Sequence, residues 1–303
     1  MGFLQEFLQQ MVNGLSLGFI YALIALGYTM VYGIAKLINF AHGDILMLGA
    51  FGGFFILIAL ALTPGTFLLS FIVSMVVCAI IGVLIEWTCY KPLRSAPRIN
   101  ALITAIGVSL FLENGARVFP PIGPNPKQFP IFPENEQILK FDFMGIHVSQ
   151  TDIVIFIIAV LLMFILNVIV NYTKIGKAMR AVSFDRGAAY LMGINVNRVI
   201  SFTFAIGSAL AAAAGILFAS AYPQVEPYMG MMPGIKAFVA AVLGGIGSIP
   251  GAMVGGLILG VAETLTKGFI SSELADAIVF GILIIILVVK PSGIFGRNVS
   301  EKV

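Results

Sequence analysis

The chain has 303 residues, of which 59% are hydrophobic and only 10% charged, with a net charge of +3. An ordinary soluble domain is about half apolar and about a quarter charged, so this composition excludes a soluble enzyme, a disordered chain and a nucleic-acid binder. The excess of 17 Lys+Arg over 14 Asp+Glu is expected to lie in loops on one side of a membrane.

The first ten residues, MGFLQEFLQQ, contain no base. A signal peptide has a positive n-region, so the first apolar run reads as a retained span. A hydrocarbon core about 30 Å thick requires about 20 helical residues. Residues 7–35 are uncharged, and so are residues 45–85, which Pro64-Gly65 divides into two spans joined by a tight turn. A fourth apolar segment covers 100–119 and a fifth 153–171. The fifth is almost continuous Ile, Leu, Val and Phe, without the alternation of a membrane β-strand. A sixth covers 200–221. Two short Gly-rich segments, 234–249 and 251–265, meet at Ser248-Ile249-Pro250-Gly251, and a last segment covers 274–289. The expected fold is all-α: one polytopic transmembrane helix bundle over residues 1–303, with eight or nine spans and interrupted helices.

The basic residues fall into three segments. Lys91, Arg94 and Arg98 share one short loop; Lys174, Lys177, Arg180, Arg186 and Arg198 lie in or border a second; Lys290, Arg297 and Lys302 form the tail. Together they are 11 of the 17 bases. The loop at 120–150 holds only Lys127 and Lys140, beside Glu134, Glu136 and Asp142. The positive-inside rule then puts the three basic segments and the C-terminus in the cytoplasm and the 120–150 loop outside. The N-terminus is outside if the stretch around Lys36 faces the cytoplasm, and inside if that stretch is a break within the membrane. Cys78 and Cys89 are eleven residues apart, about 16 Å of helix rise, too far for a disulfide within one helix. Both read as packing residues.

Three features carry candidate function. Residues 35–44, with Lys36, Asn39, His42 and Asp44, interrupt two apolar spans. Polar groups at membrane depth are costly and functional by default; the alternative is a cytoplasmic turn with Asp44 at a helix N-terminus. Gly43 belongs to the same stretch. Gly244, Gly245, Gly247, Pro250 and Gly251 form a second break. Gly247, Gly251 and Gly255 recur every four residues, as do Gly256 and Gly260, Gly14 and Gly18, and Gly49 and Gly53, a spacing that allows close helix contact. Matched breaks in the front and back of a chain point to a pathway between inverted repeats. Charges also occur inside spans: Glu113 with Arg117, and Glu263 with Lys267, each four apart with the acid first, the favourable order for pairing on a helix.

Residues 174–198 mix bases and apolar residues at helical spacing and read as one or two short amphipathic helices on the cytoplasmic surface. They either lie on headgroups or dock a soluble partner. The phosphate-loop pattern GxxxxGK[ST], GxSxG and HExxH are all absent, so no ATP hydrolysis or covalent chemistry is expected of this chain. With two histidines in all, no metal site is expected.

Asn39-Phe40-Ala41-His42-Gly43-Asp44, the run 176–198 and Leu243-Gly244-Gly245-Ile246-Gly247-Ser248-Ile249-Pro250-Gly251 closely resemble the branched-chain amino-acid permeases of bacterial ABC importers, the LivH type. The resemblance covers nearly the whole chain. It implies the ABC importer permease fold and a non-enzymatic subunit in the bacterial inner membrane. It also implies a second, similar permease, two cytoplasmic ATPase subunits that bind ATP and magnesium, and a periplasmic binding protein that delivers branched-chain or related amino acids. Some relatives carry urea or short amides. The resemblance further implies a coupling helix in 174–198. Other ABC importers carry Glu-Ala-Ala-x-x-x-Gly there; this chain has Gly187-Ala188-Ala189 and Gly193, without the Glu. Lys177, Arg180, Asp185, Ala188, Ala189 and Gly193 are the docking candidates. Two rival readings are a stand-alone ion-coupled transporter, using Glu263, Glu113 or Asp44, and a structural subunit with no pathway.

Overall fold

In lipid, the amides of a long uncharged run can bond only to one another, and helix is the result. The computed structural model describes residues 2–37, 39–94, 96–132, 141–143 and 146–296. Helix α1 spans Phe3–Ala35, about 50 Å at 1.5 Å per residue. It is followed by α2 (His42–Leu60) and α3 (Pro64–Ile85). Pro64 opens α3 at its first position, where no amide hydrogen is needed, and the Thr63 side chain caps it. A π-turn, Glu86–Tyr90, and a 3-10 turn, Lys91–Leu93, carry α3 onward. Then come α4 (Arg98–Val118) and α5 (Gln150–Tyr172), the latter opened by a reciprocal cap of Ser149 and Asp152.

Two short helices follow, α6 (Lys174–Phe184) and α7 (Arg186–Leu191). The long α8 (Val196–Ala221), the short α9 (Met231–Gly244), α10 (Ile249–Phe269) and α11 (Leu274–Val289) complete the bundle. Two small antiparallel ribbons lie outside it. In one, β1 (Lys127–Gln128) pairs with β4 (Gln224–Val225); in the other, β2 (Phe141–Phe143) pairs with β3 (Ile146–Val148).

Among the described residues seven helices are long and apolar enough to cross a membrane, and α9 and α11 are shorter apolar helices. The chain is a multi-pass membrane protein, as composition required. The seventh segment ends sooner than the sequence suggested: α9 stops at Gly244, and Ile249 already belongs to α10.

The core consists of α1, α2, α8 and α10, joined through small residues. A side chain at Gly18 would strike the backbone of Leu257, and one at Gly260 the backbone of Gly18. Gly49 and Gly215 hold α2 and α8 together in the same way, against Ala212 and the Leu46 carbonyl. In lipid, apolar area gives no drive for association, and close backbone approach supplies the contact instead. The outward face of α3 shows the complementary pattern: Leu68, Ile72, Val76, Ile80 and Leu84 are all exposed at four-residue spacing. In water such a stripe would be an anomaly; in a bilayer it is the surface that meets lipid or another subunit.

The two ends of α1 define two faces. Gln9 exchanges hydrogen bonds with the backbone of His147, in the β3 strand of the 120–150 loop. Ala35, at the other end, accepts from Arg186 of the 174–198 segment. The N-terminus thus lies on the face of the 120–150 loop. The segment at 291–296 packs against the end of α9, which joins α10 beside Gly33 of α1. Glu134, Glu136, Lys140, Arg297 and Lys302 lie outside the described residues.

Candidate functional site

The first break begins where Lys36 turns left-handed, with φ of 53°, and its amide closes α1 on the Tyr32 carbonyl. The chain then turns back into the bundle. The imidazole of His42 fills the space left by Gly27 and lies 4.6 Å from the Tyr28 ring. Gly27 is eight residues from the end of α1, about 12 Å of rise. His42 is therefore inside the helix bundle, not on a surface turn. The stretch is folded into the bundle, and Asp44 lies in the first turn of α2, where the helix dipole favours a carboxylate.

Asn39, His42 and Asp44 are all buried. Asn39 accepts a hydrogen bond of 2.8 Å from Tyr90, which the π-turn places inward. Such turns recur at functional sites. Gly43 touches the Gly230 carbonyl and Gly234, so α2 starts against the start of α9. Phe40 and Tyr28 both pack on Phe238 of α9. Between α2, α4 and α9 lies a cavity of about 200 Å³, lined by Asp44, Ser109 and Glu113 among apolar side chains.

The second break, 245–248, needs glycine. Gly245 and Gly247 have φ of 99° and 96°, values that side-chain-bearing residues avoid. Gly244 and Gly251 meet backbone to backbone. Ser248 caps α10 by accepting from the Gly251 amide at 3.2 Å, and Pro250 sits in its first turn. The tail seals the other side: the amides of Ile294 and Phe295 donate to the Leu243 and Gly244 carbonyls at 2.9 and 3.0 Å. These are the orphan carbonyls of a helix end. In the sequence alone the tail stands out only by its charge. Gly33 of α1 faces Gly247, so the two breaks flank the same half of α1.

The expected charge pairs divide. Glu263 accepts from Lys267 at 2.6 Å, as spacing suggested, and also from Lys236 at 2.8 Å and Tyr21 at 2.7 Å. Lys236 reaches Asp276 as well, at 2.6 Å. The partners on α9, α1 and α11 were not foreseen, although one Lys within an otherwise uncharged segment signals a buried acid. The Glu113–Arg117 pair is not formed. Arg117 is exposed and donates to Tyr228 at 2.7 Å, with its guanidinium over that ring. Glu113 is buried, toward Asp44. Four-residue spacing makes such a pair reachable, but Glu113 turns to the cavity it shares with Asp44 and Arg117 to Tyr228 in the turn before α9.

On the other face, α6 is amphipathic: Gly176, Met179 and Val182 are buried and Lys177 is exposed. Arg180 is tethered to the Val170 carbonyl at the end of α5. Asp185 caps α7 through the amides of Gly187 and Ala188, at 2.7 and 2.9 Å. Ala188 is exposed and Ala189 buried, and Gly193, with φ of 81°, turns the chain toward α8. Phe184 is 95% and Leu191 86% exposed, with Tyr190 and Met192 beside them.

Arg186 points inward. It donates to the carbonyls of Ala35 and, at 3.3 Å, of Ile34. Burial lowers the pKa of its guanidinium below the usual value, and the nearby charge of Arg94 adds to this. Arg94 itself pairs with the fully buried Glu86 and reaches Asn197. Ser201 donates to the other Glu86 oxygen at 2.7 Å. Two connections therefore run from the 174–198 face to the first break, one through Arg186 and one through the π-turn. Cys78 and Cys89 are free.

A protein-family model described as "Branched-chain amino acid transport system / permease component" matches residues 10–288. The high-affinity branched-chain amino acid transport permease LivH of Escherichia coli K12 is 45% identical, covering 98% of each chain. The corresponding BraD of Pseudomonas aeruginosa is 43% identical, again covering 98% of each. A probable branched-chain amino acid transport permease of Methanocaldococcus jannaschii is 31% identical over 90% of this chain and 88% of its own.

Proposed function

The chain belongs to the family of branched-chain amino acid transport permeases, and we infer that it is the membrane subunit through which an ABC importer moves branched-chain or closely related amino acids across the inner membrane. It is a transport subunit, with ATP and magnesium bound and hydrolysed on two cytoplasmic partner subunits. A second, similar permease completes the pathway, and a periplasmic binding protein delivers cargo to the face of the 120–150 loop. The 174–198 segment, and with it the C-terminus, faces the cytoplasm, in accord with its bases.

The observation that carries this reading is the grip of Arg186 on the carbonyls that end α1. The exposed ridge Phe184, Tyr190, Leu191 and Met192, with Lys177 nearby, is the surface on which an ATPase subunit docks. Asp185, Ala188, Ala189 and Gly193 shape it, and Arg180 ties it to α5. A push on that ridge reaches Ala35 through one side chain, and the first break begins at the next residue. Closure of the ATPase pair then tilts α1 and rearranges Asn39, His42, Gly43 and Asp44 against α9. Gly244, Gly245, Gly247, Pro250 and Gly251 act as the hinge at its other end.

Reconstitution tests the reading. Proteoliposomes with the partner permease, ATPases and binding protein import L-leucine only with ATP. Uptake of urea or a short amide in place of leucine would reassign the cargo. Uptake by the purified chain alone, driven by a sodium or proton gradient, would replace the reading with an ion-coupled carrier. The intramembrane acids without a paired base, Asp44 and Glu113, are the groups such a carrier would use.

A further inference from the structure

Burying charge in a membrane protein is tolerated when an opposite charge comes with it. The Glu263 cluster obeys this rule, with Lys236, Lys267 and Tyr21 all on one carboxylate. The Asp44–Glu113 site does not. Both residues are buried, at 2% and 6% exposure, and Asp44 lies close enough to Glu113 to interact with its carboxyl. Among the described residues neither makes a salt bridge; the Asp44 carboxyl meets the Ser109 hydroxyl and Glu113, and its Oδ2 is left without a hydrogen-bond partner. Arg117, the base that spacing offers, is turned away to Tyr228.

The cavity beside these carboxyls, about 200 Å³, is far larger than the roughly 10–15 Å³ that one water needs. Its remaining wall includes Phe40, Ile106, Leu110 and Ile235. The site thus offers two acceptor-rich carboxyls at one point and aliphatic and aromatic surface around it. A primary ammonium brings one positive charge and three donors, which is what the carboxyls lack. An aliphatic chain attached to it would lie against the apolar wall.

We propose that Asp44 and Glu113 hold the protonated amine of the amino-acid cargo partway across the membrane, with the cavity between α2, α4 and α9 receiving its aliphatic side chain. The proposal rests on the amino-acid import reading above. It places cargo at the first break, the element that Arg186 connects to the ATPase-docking face. Cargo release follows when α2 shifts and its Asp44 parts from Glu113 of α4.

The test uses the assembled transporter in nanodiscs and two probes that share leucine's alkyl skeleton: isopentylamine, which keeps only the amine, and 4-methylpentanoate, which keeps only the carboxylate. Isopentylamine and L-leucine are expected to raise the unfolding temperature, and 4-methylpentanoate is not. Glu113→Gln is expected to weaken the apparent affinity for isopentylamine at least tenfold. A second measurement needs no variant. Dicyclohexylcarbodiimide modifies carboxyls in apolar surroundings, and saturating isopentylamine is expected to protect Asp44 and Glu113, read by peptide mass spectrometry. Equal protection by 4-methylpentanoate, or labelling unchanged by the amine, would overturn the site, and would show a carboxyl pair held neutral by a shared proton alone. Wild-type proteoliposomes separate the two claims. Leucine import with unprotected carboxyls defeats only the site, whereas absence of amino-acid import defeats the function on which it rests.

Discussion

Arg186→Ala tests the connection between the docking face and the first break. The last turn of any helix leaves its carbonyls without intrahelical partners. In α1 the Tyr32 carbonyl is taken by the Lys36 amide, and Ile34 and Ala35 are served by Arg186. A hydrogen bond from a charged donor contributes about 1.5–3 kcal/mol, and a cation at a helix C-terminus adds about 0.3–1 kcal/mol. Arg186 is only partly buried, so water replaces some of this when the side chain is removed. A net loss of about 2 kcal/mol in the coupling between the two elements corresponds to about thirty-fold, within the range of about 5–150-fold found for coupled sites. The expected result in proteoliposomes is near-normal ATP hydrolysis with leucine import per ATP reduced by about that factor. Arg186→Lys keeps the charge but loses the fork, and is expected to fall between. Because Arg186 faces inward and the ridge of Phe184 and Leu191 is untouched, the ATPase should still co-purify. Unchanged import per ATP would refute the connection, and loss of the ATPase would place Arg186 in docking instead.

Three further outcomes follow from the packing. Gly260→Val drives a branched side chain into the backbone of Gly18 and is expected to cost at least about 1–3 kcal/mol; folding yield in detergent reports it, and wild-type yield would contradict the close α1–α10 contact. Lys236→Met removes one of the two bases on the buried Glu263, which keeps Lys267 and Tyr21, and is expected to destabilise by about 1.5–3 kcal/mol, while the double variant with Glu263→Gln should lose clearly less than the two single losses combined. Additive losses in that cycle, read by denaturant unfolding, would show that the pair does not interact. Tyr90→Phe leaves the buried Asn39 oxygen without its donor, expected to cost about 1–3 kcal/mol and to slow import. Unaltered import and stability would remove the π-turn from the route to the break.

Much of this protein was legible along the chain because a bilayer imposes a one-dimensional rule. Each span must be long, apolar and helical, so the segments 7–35, 45–85, 100–119, 153–171 and 200–221 appeared as helices with shifts of only a few residues at most ends. Pro64 and the glycines of 244–251 marked the interruptions, since only special backbone geometry uses them. Glycines at four-residue spacing announced close packing, and Gly18 and Gly260 do meet. The polar run 36–44 announced itself because it stands among apolar neighbours, although its place within the bundle came from the contact of His42 with Gly27.

Partnership between helices was decided only by tertiary structure. Spacing along one helix can propose Glu263 with Lys267, and it was right there; it proposed Glu113 with Arg117 by the same logic, and the fold turned them apart. Lys236 and Tyr21 come to Glu263 from two other helices, and Asp276 of a third joins Lys236; no local pattern encodes which helices touch. Asp44 and Glu113, sixty-nine residues apart in sequence, share a cavity for the same reason. A helix's amphipathicity and length are properties of its own residues, whereas the company of a buried charge depends on how several helices cross. The sequence by itself therefore determined that this chain spans the membrane repeatedly and where it breaks. Tertiary structure determined which charges are paired across helices, and brought Asp44 and Glu113 to one cavity.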